Sequence, residues 1–453
     1  MSRRAWLASL AAIVALAVCL RLWRLAELPP ALYADEAMDG NNALQALETG
    51  RFQVFYPEDA GREGLYINLA AASIACFGNR PWALRLPAVF FGVLTVLGLA
   101  LLGAELAGRR VGLLAAFFLA TSFWHVLLSR EAFRAIAAPG FLVWSLYLML
   151  AARRKPALWP VAGLVYGLGF HTYIAYRATP LLIAPLLWRA GAKRALAFTA
   201  MAALAILPLA WYFFGHPHAF FGRTTQVAVW TGRSSPAAAA ETARNVWRTA
   251  RMFFTHGDYN WRHNLPWRAE LFAPVALSLA MGLVAPRKGA GKRIALGWLA
   301  VAALPVVLSA ENVPHALRSV LMLPAALLLA ALGADAACAW LSPRLPPRAT
   351  AVLAAVFLMV LAWEPFDTYF HRWARDPRMP AAFDVAGANV ARRIQSLPRE
   401  DEKYVVSPPG ASDMLPAPVM FLTATYTARE QAAAHIHYLQ GECVPAARVF
   451  CLH

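Results

Sequence analysis

The sequence predicts an all-α, polytopic membrane protein, and three observations carry that prediction. Hydrophobic residues make up 60% of the 453-residue chain and charged residues 15%, against roughly 25% charge in a soluble globular domain. Apolar runs of about 18 residues or more recur along the chain, the length an α-helix needs to cross a bilayer. Between them lie short connectors rich in Lys and Arg, the composition of loops on the cytoplasmic side. The net charge of +17 therefore reads as topology, and nucleic acid is not an expected partner.

Taken in order, apolar runs and basic flanks give about eleven spans. The first, at 5–26, follows Arg3-Arg4 and ends in Arg21-Leu22-Trp23-Arg24 with no small-x-small cleavage site. It reads as an uncleaved helix that starts in the cytoplasm. A polar segment at 27–81 precedes spans at 82–106, 111–128, 136–152, 158–176, 178–188 and 196–214. A second polar loop at 215–268 leads to spans at 271–285, 294–309, 320–340 and 349–363. The span at 178–188 is short for a ~30 Å bilayer core at 1.5 Å per residue. Inner connectors carry Arg109-Arg110, Arg153-Arg154-Lys155, Arg189, Lys193, Arg194, Arg287, Lys288, Lys292, Arg293, Arg344 and Arg348. The chain thus divides into a transmembrane domain over 1–363 and an outer region over 364–453.

Acidic residues segregate to the other side: Asp35, Glu36, Asp39, Glu58, Asp59, Glu63, Glu131, Asp258 and Glu311, with Glu105 and Asp335 the inner exceptions. Acids contribute little to orientation, so their placement is a separate signal. Chemistry is expected outside. The tail reads as a small mixed appendage, helical over 381–394, extended at 404–406 and 435–439, and broken at Pro408-Pro409-Gly410. Cys443 and Cys451 can close a short loop in an oxidising exterior. Cys19, Cys76 and Cys338 lie in apolar segments and read as core filler.

The densest polar stretch follows the first span: Tyr33-Ala34-Asp35-Glu36-Ala37-Met38-Asp39-Gly40-Asn41-Asn42. As an interfacial helix over 36–48 it sets Asp35, Asp39 and Asn42 on one face and Gly40, Leu44 and Leu47 on another. A second interfacial helix is expected over 65–77. Asp35 has two readings, an N-cap or a general base in a partly dry cleft. A cap needs no further carboxylates nearby, and here there are two. Glu36 orders the site or helps to hold a divalent cation.

Arg80, Arg85 and Arg189 read as snorkelling groups. Arg130 and Arg134, one turn apart around Glu131, suit a pairing network or a substrate contact. Arg318, one turn after His315 and ahead of an apolar span, has the depth of a cavity-lining group. His171 and Tyr173 fit a cleft or an aromatic belt. The second loop holds His256, Asp258, Tyr259 and His263, whose spacing matches no strong zinc pattern, so it reads as a polar lid. Arg244, Trp247, Arg248 and Arg251 beside it suggest an interfacial helix.

Asp35-Glu36 directly after the first span, with Gly61-Arg62-Glu63-Gly64-Leu65-Tyr66, resembles the lipid-carrier-dependent glycosyltransferases of family 39. These have the GT-C fold and include protein O-mannosyltransferases and aminoarabinose transferases. The resemblance continues through Ser122-Phe123-Trp124-His125, Ser129-Arg130-Glu131-Ala132-Phe133-Arg134, Thr172-Tyr173-Ile174-Ala175-Tyr176-Arg177 and Asn312-Val313-Pro314-His315-Ala316-Leu317-Arg318, and so covers residues 1–365 or nearly so.

The resemblance implies inverting transfer of a hexose or pentose from a polyprenyl-phosphate donor to a lipid, glycan or protein acceptor. Asp35 would be the base, with Glu36 beside it. Arg62, Arg134, His315 and Arg318 would hold the donor phosphate, and Asp39, Glu63, Arg130, Tyr173, Arg177 and Tyr259 would line the cleft. Arg62 stands where the aminoarabinose transferases have a phosphate-contacting Lys. Met38 stands where they have an Arg, so aminoarabinose is not the expected sugar.

The acids face the side without cytosolic nucleotides, and no Walker loop, dinucleotide fingerprint or CxxC pair occurs. The implied location is a bacterial inner (plasma) membrane with the site on its periplasmic side. Rival readings are a flippase for lipid-linked sugars, which would favour midplane sites and internal repeats, and an envelope-glycan ligase using a diphosphate-linked donor.

Overall fold

The computed structural model describes every residue except Asp59, Pro286, Arg287, Lys288 and His453, together with every side chain of these but Arg223. Asp59, Arg287 and Lys288 of the topology reading thus lie outside the described residues. Helix α1 (Arg3–Leu22) is capped by Ser2, whose hydroxyl accepts from the Ala5 amide. Leu10, Ile13, Ala17 and Leu20 recur every three to four residues as its buried stripe, so one face meets protein and the rest is left for lipid.

The first outer loop folds as helix α2 (Ala34–Thr49), strands β1 (Phe55–Tyr56) and β2 (Arg62–Glu63), and helix α3 (Gly64–Phe77). The two interfacial helices read from the sequence are α2 and α3. The antiparallel pairing sets Phe55 opposite Glu63 and Tyr56 opposite Arg62. This short ribbon brings Arg62 and Glu63 back over α2.

The membrane region follows as α4 (Pro81–Ala107), α5 (Arg109–Ala120), α6 (Phe123–Leu128), α7 (Ala137–Ala151), α8 (Leu158–Leu168), α9 (Pro180–Ala190) and α10 (Ala192–Gly215). Beyond it come α11 (Pro217–Val227) and α12 (Ser235–Met252) of the second outer loop, then α13 (Ala273–Val284), α14 (Ala290–Val307), α15 (Ala316–Ser319), α16 (Leu323–Leu341) and α17 (Pro347–Asp367). Helix α16 is the central post, with Leu323 through Gly333 all buried. It approaches α13 closely at Gly282 and Gly333, where a Cβ would strike the backbone of the other helix. Small residues at a crossing allow this in a membrane, where packing rather than hydrophobic exclusion holds helices together.

The roughly eleven apolar spans read from the sequence take two forms, long helices and shorter or broken ones. Among the described residues, 7 helices are long and apolar enough to cross, counting adjoining turns: Arg3–Leu22, Pro81–Ala107, Arg134–Ala151, Ala192–Gly215, Ala290–Val307, Ala316–Leu341 and Pro347–Trp373. The run at 111–128 breaks between α5 and α6, where Ser122 starts a new helix by accepting from the His125 amide. The run at 158–176 leaves the α-helix at Leu168, and Tyr173 is extended. Helices α9 and α13, of 11 and 12 residues, do not alone reach across ~30 Å.

The tail forms α18 (Met379–Ala382), α19 (Val385–Gln395), β3 (Lys403–Ser407), α20 (Ala417–Thr423), α21 (Ala428–Ala434), β4 (Ile436–Gln440) and β5 (Val449–Cys451). Its sheet is parallel in the order β4-β3-β5, one strand more than the sequence suggested. Ala391, Ile394, Val405, Val419, Ile436, Phe450 and Leu452 make its small core. Cys443 and Cys451 are disulfide-bonded. Cys19 and Cys76 are exposed and Cys338 half-buried, so none of the three is core filler.

Candidate active site

Tyr33, in extended conformation, holds the N-cap position of α2, and Asp35 lies in the first turn. The cap reading of Asp35 therefore falls. Its side chain is exposed and has no hydrogen-bond or ion-pair partner among the described residues.

Glu36, its neighbour, points the other way. Its carboxylate is fully buried and receives Arg85 Nε on Oε1 and Arg85 Nη2 on Oε2, both at 2.9 Å, and the Ala132 amide at 2.6 Å. Arg85 also donates to the carbonyls of Pro29 at 3.1 Å and Ala31 at 2.5 Å. Arg85 is thus no snorkelling group. Together the pair fixes the chain entering α2, and Glu36 does not face the cavity described below.

The opposite face of α2 is clamped from the ribbon. Arg62 donates to Asp39 Oδ1 at 2.5 Å and to the Asn42 amide oxygen. Burial pushes the Asp39 carboxyl up, against the opposing pull of Arg62 and Arg134. Glu63, next to Arg62, accepts from Arg134 Nε at 3.2 Å and Arg177 Nη2 at 3.4 Å. Arg134 lies over the Tyr173 ring and Arg177 over Phe220. One carboxylate therefore serves two guanidinium groups, which leaves positive charge in excess.

From the far side, Arg318 donates to Glu311 Oε2 at 2.6 Å and to Ser309 Oγ. Asp258 Oδ2 receives His263 Nδ1 at 3.0 Å and the Ala316 amide at 2.8 Å. Its Oδ1 receives the Asn260 amide at 2.8 Å. The His315 Nδ1 stands 3.8 Å from the same carboxylate. Burial works to raise Asp258, but His263 and His315 outweigh it and hold the carboxyl below its usual range. Among the described residues, Asp258, His263 and His315 are the cluster whose donor atoms lie close enough together to hold a metal ion.

These elements enclose a cavity of about 650 Å³. Asp35, Asp39, Arg62, Glu63, Arg134, Tyr173, Arg177, His315 and Arg318, all singled out in the sequence, line it. Glu36, Arg130 and Tyr259 do not. Arg130 is fully buried, donates to the carbonyls of Leu20, Arg21 and Leu28, and lies over Tyr369 and Phe370, so it ties loops together. Tyr259 is 41% exposed and packs on Trp267.

His171 bonds the Ala205 carbonyl rather than facing the cavity. Asn260, Arg262, His263 and Asn312 also line it and were not expected by position. Asn260, Arg262 and His263 sit in the stretch read as a lid, and their clustering there was the available signal. Arg262 covers the Tyr33 ring at 4.7 Å. Leu304, Pro305, Leu308 and Leu317 form an apolar wall.

The sequence profile of the dolichyl-phosphate-mannose-protein mannosyltransferase family matches residues 65–214. Comparison with curated proteins finds no match. Among solved structures, ArnT from Cupriavidus metallidurans bound to undecaprenyl phosphate superposes with a TM-score of 0.59 at 16% identity, over 96% of this chain and 88% of that one. The same protein in its apo state gives 0.56 at 15% identity, over 93% and 85%. The archaeal oligosaccharyltransferase AglB from Archaeoglobus fulgidus, in complex with an inhibitory peptide and a dolichol-phosphate, gives 0.55 at 14% identity, over 93% and 63%. Residues 65–214 thus resemble that family in sequence, and the chain as a whole has the GT-C glycosyltransferase fold that the resemblance implied.

Proposed function

We propose that this protein moves a sugar from a polyprenyl-phosphate donor to an acceptor hydroxyl at the outer face of the membrane, with inversion. One observation carries the reading. Of the carboxylates lining the cavity among the described residues, Asp39 is held by Arg62, Glu63 by Arg134 and Arg177, and Glu311 by Arg318, while Asp35 has no partner. A general base needs an ionised carboxylate with a lone pair open to the acceptor.

In the step proposed, the acceptor oxygen forms a bond to the anomeric carbon and its proton passes to Asp35. The bond from that carbon to the phosphate oxygen breaks, and the electron pair leaves with the lipid phosphate. The leaving group gains negative charge as this happens. Donors already aimed at that charge lower the barrier without reorganising. Arg134 and Arg177, held in place by the shared Glu63 yet only half-neutralised by it, suit that task.

The apolar wall along α14 offers a place for a lipid chain beside the polar site. The ArnT and AglB structures hold undecaprenyl phosphate and dolichol-phosphate, which favours a donor of that kind here.

The test is transfer of labelled sugar from purified polyprenyl-phosphate donors to an envelope extract. Asp35→Asn should lower the rate by roughly 10²–10⁴, the usual worth of a positioned base, with folding intact. Near-normal turnover would remove Asp35 from the chemistry. If neither protein transfers sugar and both move labelled lipid across proteoliposomes, the flippase reading replaces this one.

A further inference from the structure

The polar cluster at the back of the cavity has a chemistry of its own. We propose that Asp258, His263 and His315 form a zinc-class divalent-metal site whose remaining coordination position opens into the cavity and takes a phosphate oxygen. The phosphate half of this statement rests on the function proposed above; the metal half does not.

Three features support it. The first is geometry. Asp258 Oδ2 lies 3.0 Å from His263 Nδ1 and 3.8 Å from His315 Nδ1, and one donor atom from each of the three falls within 4.8 Å of the others. Ligands bound at 2.0–2.1 Å around tetrahedral zinc stand ~3.3–3.4 Å apart. The two measured edges bracket that value, and small rotations of the two imidazoles close the difference.

The second is the donor set. Two imidazoles and a carboxylate make the three-ligand, one-open pattern of zinc sites that bind water or substrate, whereas closed structural sites use four protein ligands. His263 and His315 both line the cavity, so the open position faces the place where Asp35 and Arg318 also point. The two rings stack at 4.8 Å with a 30° tilt, which leaves both edges turned toward Asp258.

The third is the support behind the ligands. Metal sites hold their carboxylates with hydrogen bonds from the surrounding protein. Asp258 has two from backbone amides, Asn260 on Oδ1 and Ala316 on Oδ2. Its own amide is tied to the Glu270 carboxylate at 2.8 Å. His315 Nδ1 accepts from the Arg318 amide at 3.4 Å, a long contact that a metal bound at this nitrogen would replace. The competing explanation is a His-Asp-His hydrogen-bonded stack that needs no ion. It accounts for the 3.0 Å contact, and stacking on His263 with capping of α15 places the second ring, so the metal measurement below separates the two.

The experiment uses the purified full-length chain, loaded with zinc, passed through a desalting column and assayed for metal by mass spectrometry. The expected result is about one zinc per chain, at the single site the three ligands make. Asp258→Asn and His263→Ala should lose it while eluting as monodisperse protein. Because His263→Ala removes a buried ring, His263→Cys serves as the second variant, and it should keep the zinc because thiolate is itself a zinc ligand.

No zinc in folded wild type, or equal zinc in wild type and both loss variants, overturns the site. Cobalt(II) substitution then tests the open position. Its visible band should shift on adding inorganic phosphate, and an unchanged band overturns the phosphate half. Since metal content is read without any transfer assay, zinc in a protein that transfers no sugar would leave the site standing and remove only the glycosyltransferase reading.

Discussion

Glu36 and Glu131 are both fully buried, yet only one of them is arranged to carry charge. Glu36 has the Arg85 fork and the Ala132 amide. Neither oxygen of Glu131 has a hydrogen-bond partner among the described residues. Burial first, and then the neighbouring Glu36 charge, push the Glu131 carboxyl well above its ordinary range. That direction favours the protonated form of Glu131, so the two residues should answer differently to the same substitution.

Glu36→Gln strands the Arg85 charge and should cost about 3–5 kcal/mol. Glu131→Gln exchanges one neutral polar group for another of the same shape and should stay within about 1 kcal/mol. The raised value also fixes a sign. The stability contributed by the Glu131 proton is full below the ordinary carboxyl range and is lost as pH rises from there toward the raised value. The Gln variant should lack that decline. Thermal denaturation of the detergent-solubilised protein across pH reads all three, and equal losses for the two variants at pH 7 would overturn the neutral assignment.

This division was only half legible in the sequence. Consecutive helical residues point about 100° apart at 3.6 residues per turn, so Asp35 and Glu36 had to face different surroundings. Which of them met Arg85 depended on contacts that no spacing reveals.

The element that carries Asp35 is also where the tail attaches. A Cβ on Gly40 would lie 2.5 Å from the Phe421 ring and 3.1 Å from a Leu84 methyl. Phe421 is fully buried, so its ring uses the space that glycine leaves on α2. Asn41 Nδ2 donates to the Ala417 carbonyl at 3.1 Å, and Asn79 Nδ2 to the Phe421 carbonyl at 2.7 Å. Helix α2 is thus gripped by Arg62 on its cavity side and by α20 behind.

Gly40→Ala should destabilise by about 1–3 kcal/mol through overpacking, and Phe421→Leu should relieve much of that loss in the double variant. The interaction energy from a double-mutant cycle on thermal stability should be clearly non-zero. Strict additivity would mean the two residues do not press on each other. Here the periodicity of Gly40, Leu44 and Leu47 did announce a packed face on α2. It named no partner, because a hydrophobic pattern reports burial and the partner lies far along the chain. The same limit hid the metal-type cluster, since Asp258 and His263 come from one loop and His315 from another.

At the scale of the whole molecule, the spans could be read because the bilayer imposes a local rule on every crossing helix. The breaks at Thr121, at Gly169 to Tyr173, and in the short α9 and α13 could not. Irregular backbone at membrane depth is tolerated where other protein covers it, which is a tertiary property.

Sidedness, by contrast, is written in charge. Asp335 and Glu105, read as inner acids, pair with Arg110 and Arg154 of the connectors read as inner, while Asp35, Asp39, Glu63 and Glu311 line the cavity. The tail docks on α2, and on Asn79 just beyond α3, next to that cavity, so tail and cavity share a side, and the Cys443–Cys451 disulfide suits an oxidising compartment. The resulting prediction concerns two exposed residues, Lys155 in an inner connector and Glu400 in the tail.

With Cys19, Cys76 and Cys338 replaced by Ser, Glu400→Cys should react with a membrane-impermeant maleimide added to cells whose inner membrane is intact. Lys155→Cys should react only after permeabilisation. Reaction at Lys155→Cys but not at Glu400→Cys would turn the protein over and move the proposed chemistry to the cytoplasmic side. A lipid-linked donor would then lose the argument made for it from the absence of nucleotides. The expected pattern keeps the cavity, the disulfide and Asp35 on one outer surface, where the donor phosphate must be presented.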